Sequence, residues 1–232
     1  MIDTIAMARG FAARLKRLLK PATIIAKRLE GAQLDLFSAT WQTQLASVVE
    51  ELRGIIPLEV AAEEAWRVTE QVDRVQMVQW RRQADKLGVR ATRGALEQEL
   101  LIQRASEQAK LIMSMPSELA DQVAAEVFQA FEAGATVASL SATIKDRTGV
   151  ASSRADVIAR TELAKLNTAL AQARQTAAGV VRYEWATSRD ERVRASHREL
   201  NGQVFSWDAP PIEGHPGTAI NCRCIALPVL ED

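Results

Sequence analysis

Apolar residues recur at steps of three and four along most of this chain, the spacing of one face of a helix. Ile2, Ile5, Phe11, Leu15, Leu18 and Leu19 place basic residues between them, which predicts an amphipathic helix broken or restarted at Pro21. A second stripe runs through Ile24, Ile25, Leu29, Leu34, Phe37, Trp41, Leu45, Val48, Val49 and Leu52 and ends at Gly54 and Pro57. A third helix is expected over 58–87 with Gly88 as its C-cap, and a fourth from near Thr92 to Met115, ahead of Pro116. Ser117 offers an N-cap to a helix that reaches Phe131 and closes at Gly134. A shorter helix over 137–147 should end at Gly149. Ser152 or Ser153 would then cap a helix that runs to about Ala177 and stops at Gly179. No repeat at solenoid spacing runs through these helices.

After Gly179 the period changes. VVRYEWAT alternates and is rich in strand formers, 190–200 reads as a short helix capped by Ser188 or Asp190, and Asn201-Gly202 is a turn. QVFSW and CRCIALPV supply two more strands around a Pro/Gly loop over 209–217. The expected fold is mainly α, a long helical N-terminal region followed by a small α+β C-terminal module. The division is 1–115 for the helical N-terminal region, 116–179 for a second helical segment, and 180–232 for the module. A unit of about 50 residues has a thin core and gains from a staple or from docking on helices.

Composition narrows the class. Apolar residues make up 47% and charged residues 25% of the 232, ordinary for a folded globular chain. The net charge of zero gives no global case for nucleic acid or a membrane surface. It hides a basic start, however: Arg9, Arg14, Lys16, Arg17, Lys20, Lys27 and Arg28 face only Asp3 before Glu30. An amphipathic helix packed on a neighbour explains them; so does a basic arm that touches DNA or a partner surface. No apolar run approaches the roughly 20 residues of a membrane span, and the basic residues follow the apolar ones, opposite to an export signal. A reducing cytoplasm is the expected compartment.

Both histidines and both cysteines fall in the last stretch. On a strand, Cys222 and Cys224 would project to one face with Arg223 opposite. His197 sits in the expected short helix with Asp190 two turns before it, and His215 heads the loop that returns to the cysteines. Two thiols with two imidazoles match in kind the ligands of a structural Zn²⁺ site: Cys222, Cys224 and His197, with His215 or Asp190 as fourth. The spacing matches no common zinc finger, and a reduced, buried thiol pair with hydrogen-bonded histidines accounts for the same residues. A Cys–His nucleophile pair oriented by Asp190 is a further alternative, but the cysteines lack the helix N-terminus that lowers a nucleophile's pKa. No phosphate loop, HExxH helix or nucleophile elbow is present, so no catalytic residue is assigned. Arg189, Arg192, Arg194 and Arg198 are interleaved with acids, as on a salt-bridged face.

IARTE at 158–162, the YEW strand, DERVRASH, LNG and the closing NCRC-x-x-x-P together resemble the phage Mu F-like family of minor head (head morphogenesis) proteins. SMPSELADQV and FEAG before IARTE are similar to what precedes that motif in the family; the first hundred residues carry no such likeness. The motif positions are Arg160, Glu162, Asp190, Arg194, His197, Gly202, Cys222, Arg223 and Cys224. The resemblance implies a virion component of a tailed phage or prophage, present in few copies inside the head. It would be host-cytoplasmic during assembly, associated with the portal and other head proteins, and active in head assembly or genome delivery. Phage DNA is a second partner that it implies. Some relatives carry a toxin domain beyond the module; with Asp232 just past the last strand, none is expected here.

Overall fold

The computed structural model describes residues 4–30, 41–94, 96–132 and 137–230. Among these residues six helices come first: α1 (Thr4–Leu18), α2 (Lys20–Glu30), α3 (Trp41–Arg53), α4 (Leu58–Leu87), α5 (Glu97–Glu132) and α6 (Val137–Ala177). Strand β1 (Arg182–Ala186), the short helix α7 (Ala195–Glu199), β2 (Val204–Ser206) and β3 (Ile225–Val229) complete the chain. The mainly α fold with a small α+β C-terminal module is therefore what the chain forms. Among the described residues, no helix is long and apolar enough to cross a membrane.

The chain breaks at Pro21, which sits in the first turn of α2, where its missing N–H costs nothing. Gly88 and Gly179 end α4 and α6 with φ of 67° and 79°. Two expected breaks do not occur. Pro116 lies inside α5, and 137–177 is a single helix that passes through Gly149. Near both positions hydroxyls turn back onto the existing helix, the expected caps Ser117 and Ser153 among them. Ser114 and Ser117 donate to the carbonyls of Leu111 (2.9 Å) and Met113 (3.4 Å); Thr148 and Ser153 donate to those of Ile144 (2.6 Å) and Gly149 (3.2 Å). The expected helix end at Gly134, and the apolar positions Leu34 and Phe37, lie outside the described residues. α5 begins at Glu97 rather than near Thr92.

Two compact units form, each assembled from separate stretches of the sequence. One comprises 10–64 and 108–156, the other 1–9, 65–107 and 157–232. The first has a core of Ile25 and Leu29 from α2, Val48 and Leu52 from α3, Leu119 and Val123 from α5, and Ile144 from α6. In the second, Met77, Trp80 and Ala84 of α4 pack with Val180. Its other cluster joins Ala171 of α6 to Tyr183, Trp185, Trp207, Cys222, Cys224 and Ala226. Tyr183 and Trp185 are fully buried, each contributing about 2–3 kcal/mol. The module thus rests its thin core on α6.

The sheet is antiparallel in the order β2-β1-β3. Tyr183 pairs with Phe205 on one side and with Pro228 on the other. Pro228 is tolerated because β3 is an edge strand. Gly202, at φ 83°, makes the expected turn into β2.

Candidate metal centre

The expected third strand starts late. Cys222 and Cys224 precede β3, Cys222 closing a turn on the Ala219 carbonyl, so they do not lie on the strand itself. That turn is fixed from several directions. Asn221 takes a left-handed φ of 57°; its amide donates to Thr161 Oγ1 (3.0 Å) and its side-chain oxygen accepts from Arg160 Nε (3.1 Å). Arg194 donates to the Ile220 carbonyl at 2.8 Å. Arg223 grips Asp190 with two hydrogen bonds, 2.5 and 2.6 Å. IARTE on α6 and NCRC before β3, far apart in sequence, therefore meet at the cysteine turn.

The expected helix over 190–200 is shorter, covering only Ala195–Glu199, with Arg194 at its N-cap position and no side-chain cap. Asp190 instead closes a turn: its carboxylate accepts from the Arg192 amide, its carbonyl from the Val193 amide. Its carboxyl is held below its usual range, first by the hydrogen bond from Arg223. His197 is the buried residue of this helix. Its Nδ1 lies 3.5 Å from Sγ of Cys222 and 3.5 Å from Sγ of Cys224. All three ligand atoms lie within 4.8 Å of one another.

Nitrogen and sulfur bound tetrahedrally to one zinc at 2.0–2.3 Å would lie about 3.6 Å apart. The spacing of His197 from both sulfurs fits that geometry, so the group could hold a metal ion. The sulfurs are also prepared for negative charge. The amides of Gly217 (3.3 Å) and Cys224 (3.4 Å) both donate to Cys222 Sγ. The Cys224 thiol, which hydrogen-bonds to it, and these amides bring Cys222 down to about 5. The same pairing, with burial, drives Cys224 upward, so one proton is shared between the sulfurs. A metal ion would take that proton's place.

The two other residues expected at the metal are held elsewhere. Asp190 is occupied by Arg223. His215 Nδ1 meets the Tyr183 hydroxyl at 3.0 Å, and its ring packs against Tyr183 and Trp207. Burial lowers the His215 pKa and raises that of Tyr183 to about 12, so both stay neutral near pH 7. Sequence reasoning did not find Glu213, whose carboxylate lies 3.4 Å from His197 Nε2. No periodicity marks a loop acid of this kind. It also did not find Gly217 or Thr168, which anchor the loop to α6.

The basic positions near the start are partly spent within the chain. Arg14 pairs with Glu64, Lys16 with Asp156 (2.7 Å) and Arg28 with Glu51. Arg9, Arg17, Lys20 and Lys27 are exposed.

Residues 121–227, which contain this whole network, match the family described as Phage Mu protein F like protein. Over that stretch the chain is similar to the phage Mu F-like family. It is also similar to an uncharacterized protein of Haemophilus influenzae, 44% identical over 124 residues, 53% of this chain and 28% of that protein. A minor head protein, GP7 of Bacillus phage SPP1, is 28% identical over 153 residues, 56% of this chain and 50% of that one. The chain thus spans between about a quarter and a half of the curated relatives it matches. No solved structure matches it.

Proposed function

We propose that this chain acts as a minor head protein of a tailed phage or prophage, a structural component of the virion interior. In this reading it associates with the portal and other head proteins and works in head assembly or genome delivery. One observation carries it: the Mu F-like match covers the network that builds the cysteine turn, and a relative of the chain is named a minor head protein. The reading is structural rather than enzymatic. A zinc ion on His197, Cys222 and Cys224 would staple α7, the loop and the cysteine turn of a module whose own core is thin.

Virions and empty heads from a prophage deleted for this chain provide the test. Defective head completion or failed genome delivery, with the chain co-purifying with the portal in the parent, is the expected result. Particles of normal infectivity without it would overturn the reading.

A second reading rests on the exposed Arg17, Lys20 and Lys27 of α1 and α2. Exposed cations of this kind suit phage DNA, where each phosphate contact steepens the fall of affinity with salt. Mobility shifts at two salt concentrations test it: binding lost on replacing these three by Gln supports it, and binding unchanged overturns it.

A further inference from the structure

His197 presents its two ring nitrogens to different chemistry. Nδ1 stands 3.5 Å from each of two sulfurs. Nε2 is buried without a hydrogen bond, yet Glu213 Oε2 is 3.4 Å away. A neutral imidazole carries one proton, and the nitrogen that carries it cannot be a ligand. With the proton on Nε2, it faces an acid, and Nδ1 turns a lone pair towards the sulfurs. With the proton on Nδ1, a lone pair would face a carboxylate at a side chain only 3% exposed, and the ligand would be lost.

We propose that Glu213 is the positioning residue of a metal centre on His197, Cys222 and Cys224, fixing the imidazole with Nδ1 free to bind a thiophilic divalent cation of the zinc class. This rests on the metal reading above. Glu213 is not itself a ligand, because its carboxylate lies outside the group of atoms within 4.8 Å of one another. A turn delivers it: the Gly214 amide donates to the Pro211 carbonyl at 2.9 Å, and Gly214 takes a φ of 76°. Further along the same loop, Thr168 holds the Pro216 carbonyl (2.6 Å) and the Gly217 amide donates to Cys222 Sγ. One loop therefore supports two ligands of the centre, a sulfur and an imidazole. The Trp185 ring stands edge-on to His197, centroids 5.2 Å apart, and limits rotation of the imidazole. Acids in this outer position raise a histidine's basicity, and their loss typically costs roughly 10- to 100-fold in metal affinity.

The test uses the full chain, with Zn²⁺ affinity from chelator competition and Co²⁺ as the spectroscopic probe. The intact chain should bind one ion, Glu213→Ala roughly 10- to 100-fold more weakly. Glu213→Gln, which keeps an oxygen to accept the Nε2 proton, should recover part of that loss. With Co²⁺, Glu213→Ala should retain the thiolate charge-transfer band, which reports the sulfurs, while the d–d envelope, which reports the geometry and ligand field of the whole site, shifts. A structural role for Glu213 would move neither band selectively. Equal affinities and spectra for the intact chain and Glu213→Ala overturn this proposal and leave the metal reading standing. Failure of the intact chain to bind Zn²⁺ or Co²⁺ overturns both.

Discussion

Gly217 lies so close to Thr168 that a Cβ built on it would come 2.6 Å from the threonine hydroxyl oxygen. It would also meet the Ala164 carbonyl at 3.1 Å, and the glycine's φ of 90° is one that other residues rarely adopt. Gly217→Ala should therefore cost at least about 2 kcal/mol, from backbone strain and overpacking together. It should also pull the amide away from Cys222 Sγ. Denaturant unfolding measures the first effect, and metal affinity the second. A loss under about 0.5 kcal/mol would mean the loop shifts freely on α6.

The buried charge beside the α4 core predicts a pH dependence. Arg174 is fully buried and binds Asp73, Glu97 and Gln76, while Arg93 pairs with both acids. Gly94 lets this loop approach α6, since a Cβ there would come 3.3 Å from the Ala173 carbonyl. Arg174→Met should destabilise by about 3–5 kcal/mol, because two carboxylates lose their buried partner. Burial alone would raise the Asp73 pKa, but hydrogen bonds from Arg93 and Arg174 and their charges outweigh it, leaving the pKa below the usual 3.8. Its contribution is therefore complete above that value and is lost as pH falls through the lower, folded one. Unfolding followed from pH 6 to pH 2 should show this loss in the intact chain, with a flatter profile for Asp73→Asn. Parallel profiles would remove Asp73 as the cause.

A third expectation concerns Asn221, whose left-handed backbone asparagine tolerates and a β-branched residue does not. Asn221→Gly should keep the turn, losing only the Arg160 bond, and stay within about 1 kcal/mol of the parent. Asn221→Val should cost about 2 kcal/mol or more, as strain at φ near 57° adds to that loss. Thermal unfolding of the two variants side by side checks the ordering; equal melting temperatures would mean the backbone angle carries no strain.

The helices of this chain were legible because apolar period and terminators agree: α4 ends at Leu87 with Gly88 behind it, as the pattern predicts. Breaks drawn at Pro116 and Gly149 were misplaced because serine and threonine hydroxyls serve equally as caps and as partners for their own helix's carbonyls. Sequence alone cannot separate those uses, since tertiary packing decides them. At the metal centre, Cys222, Cys224 and His197 stood out by chemical type. Glu213 did not, because its place follows from a turn at Gly214 and from loop anchors on α6, contacts with no sequence periodicity. The salt bridge between Asp190 and Arg223 is likewise hidden, because 33 residues separate the two and no periodicity pairs them.

Replacing the two sulfurs together asks what the proposed ion does for the fold. Cys222 and Cys224 are both buried, packed with Trp185, Trp207 and Ala226, so each serine exchanges a sulfur for a poorly satisfied hydroxyl. If a zinc ion joins the sulfurs to His197, Cys222→Ser/Cys224→Ser removes both packing and a ligand set whose binding energy counts towards folding. Protein purified without chelator or affinity tag should then carry about one zinc per chain, and the double variant less than about a tenth. Residues 180–230 of the variant should lose protection in hydrogen exchange and become open to protease. The core of α2, α3 and Ile144 lies in the other compact unit and should keep its protection. Chelating the metal from the parent should reproduce the same local loss without any mutation, which separates the ion from the packing of the sulfurs. A parent chain that stays protected after complete metal removal would leave the cysteines as core residues alone.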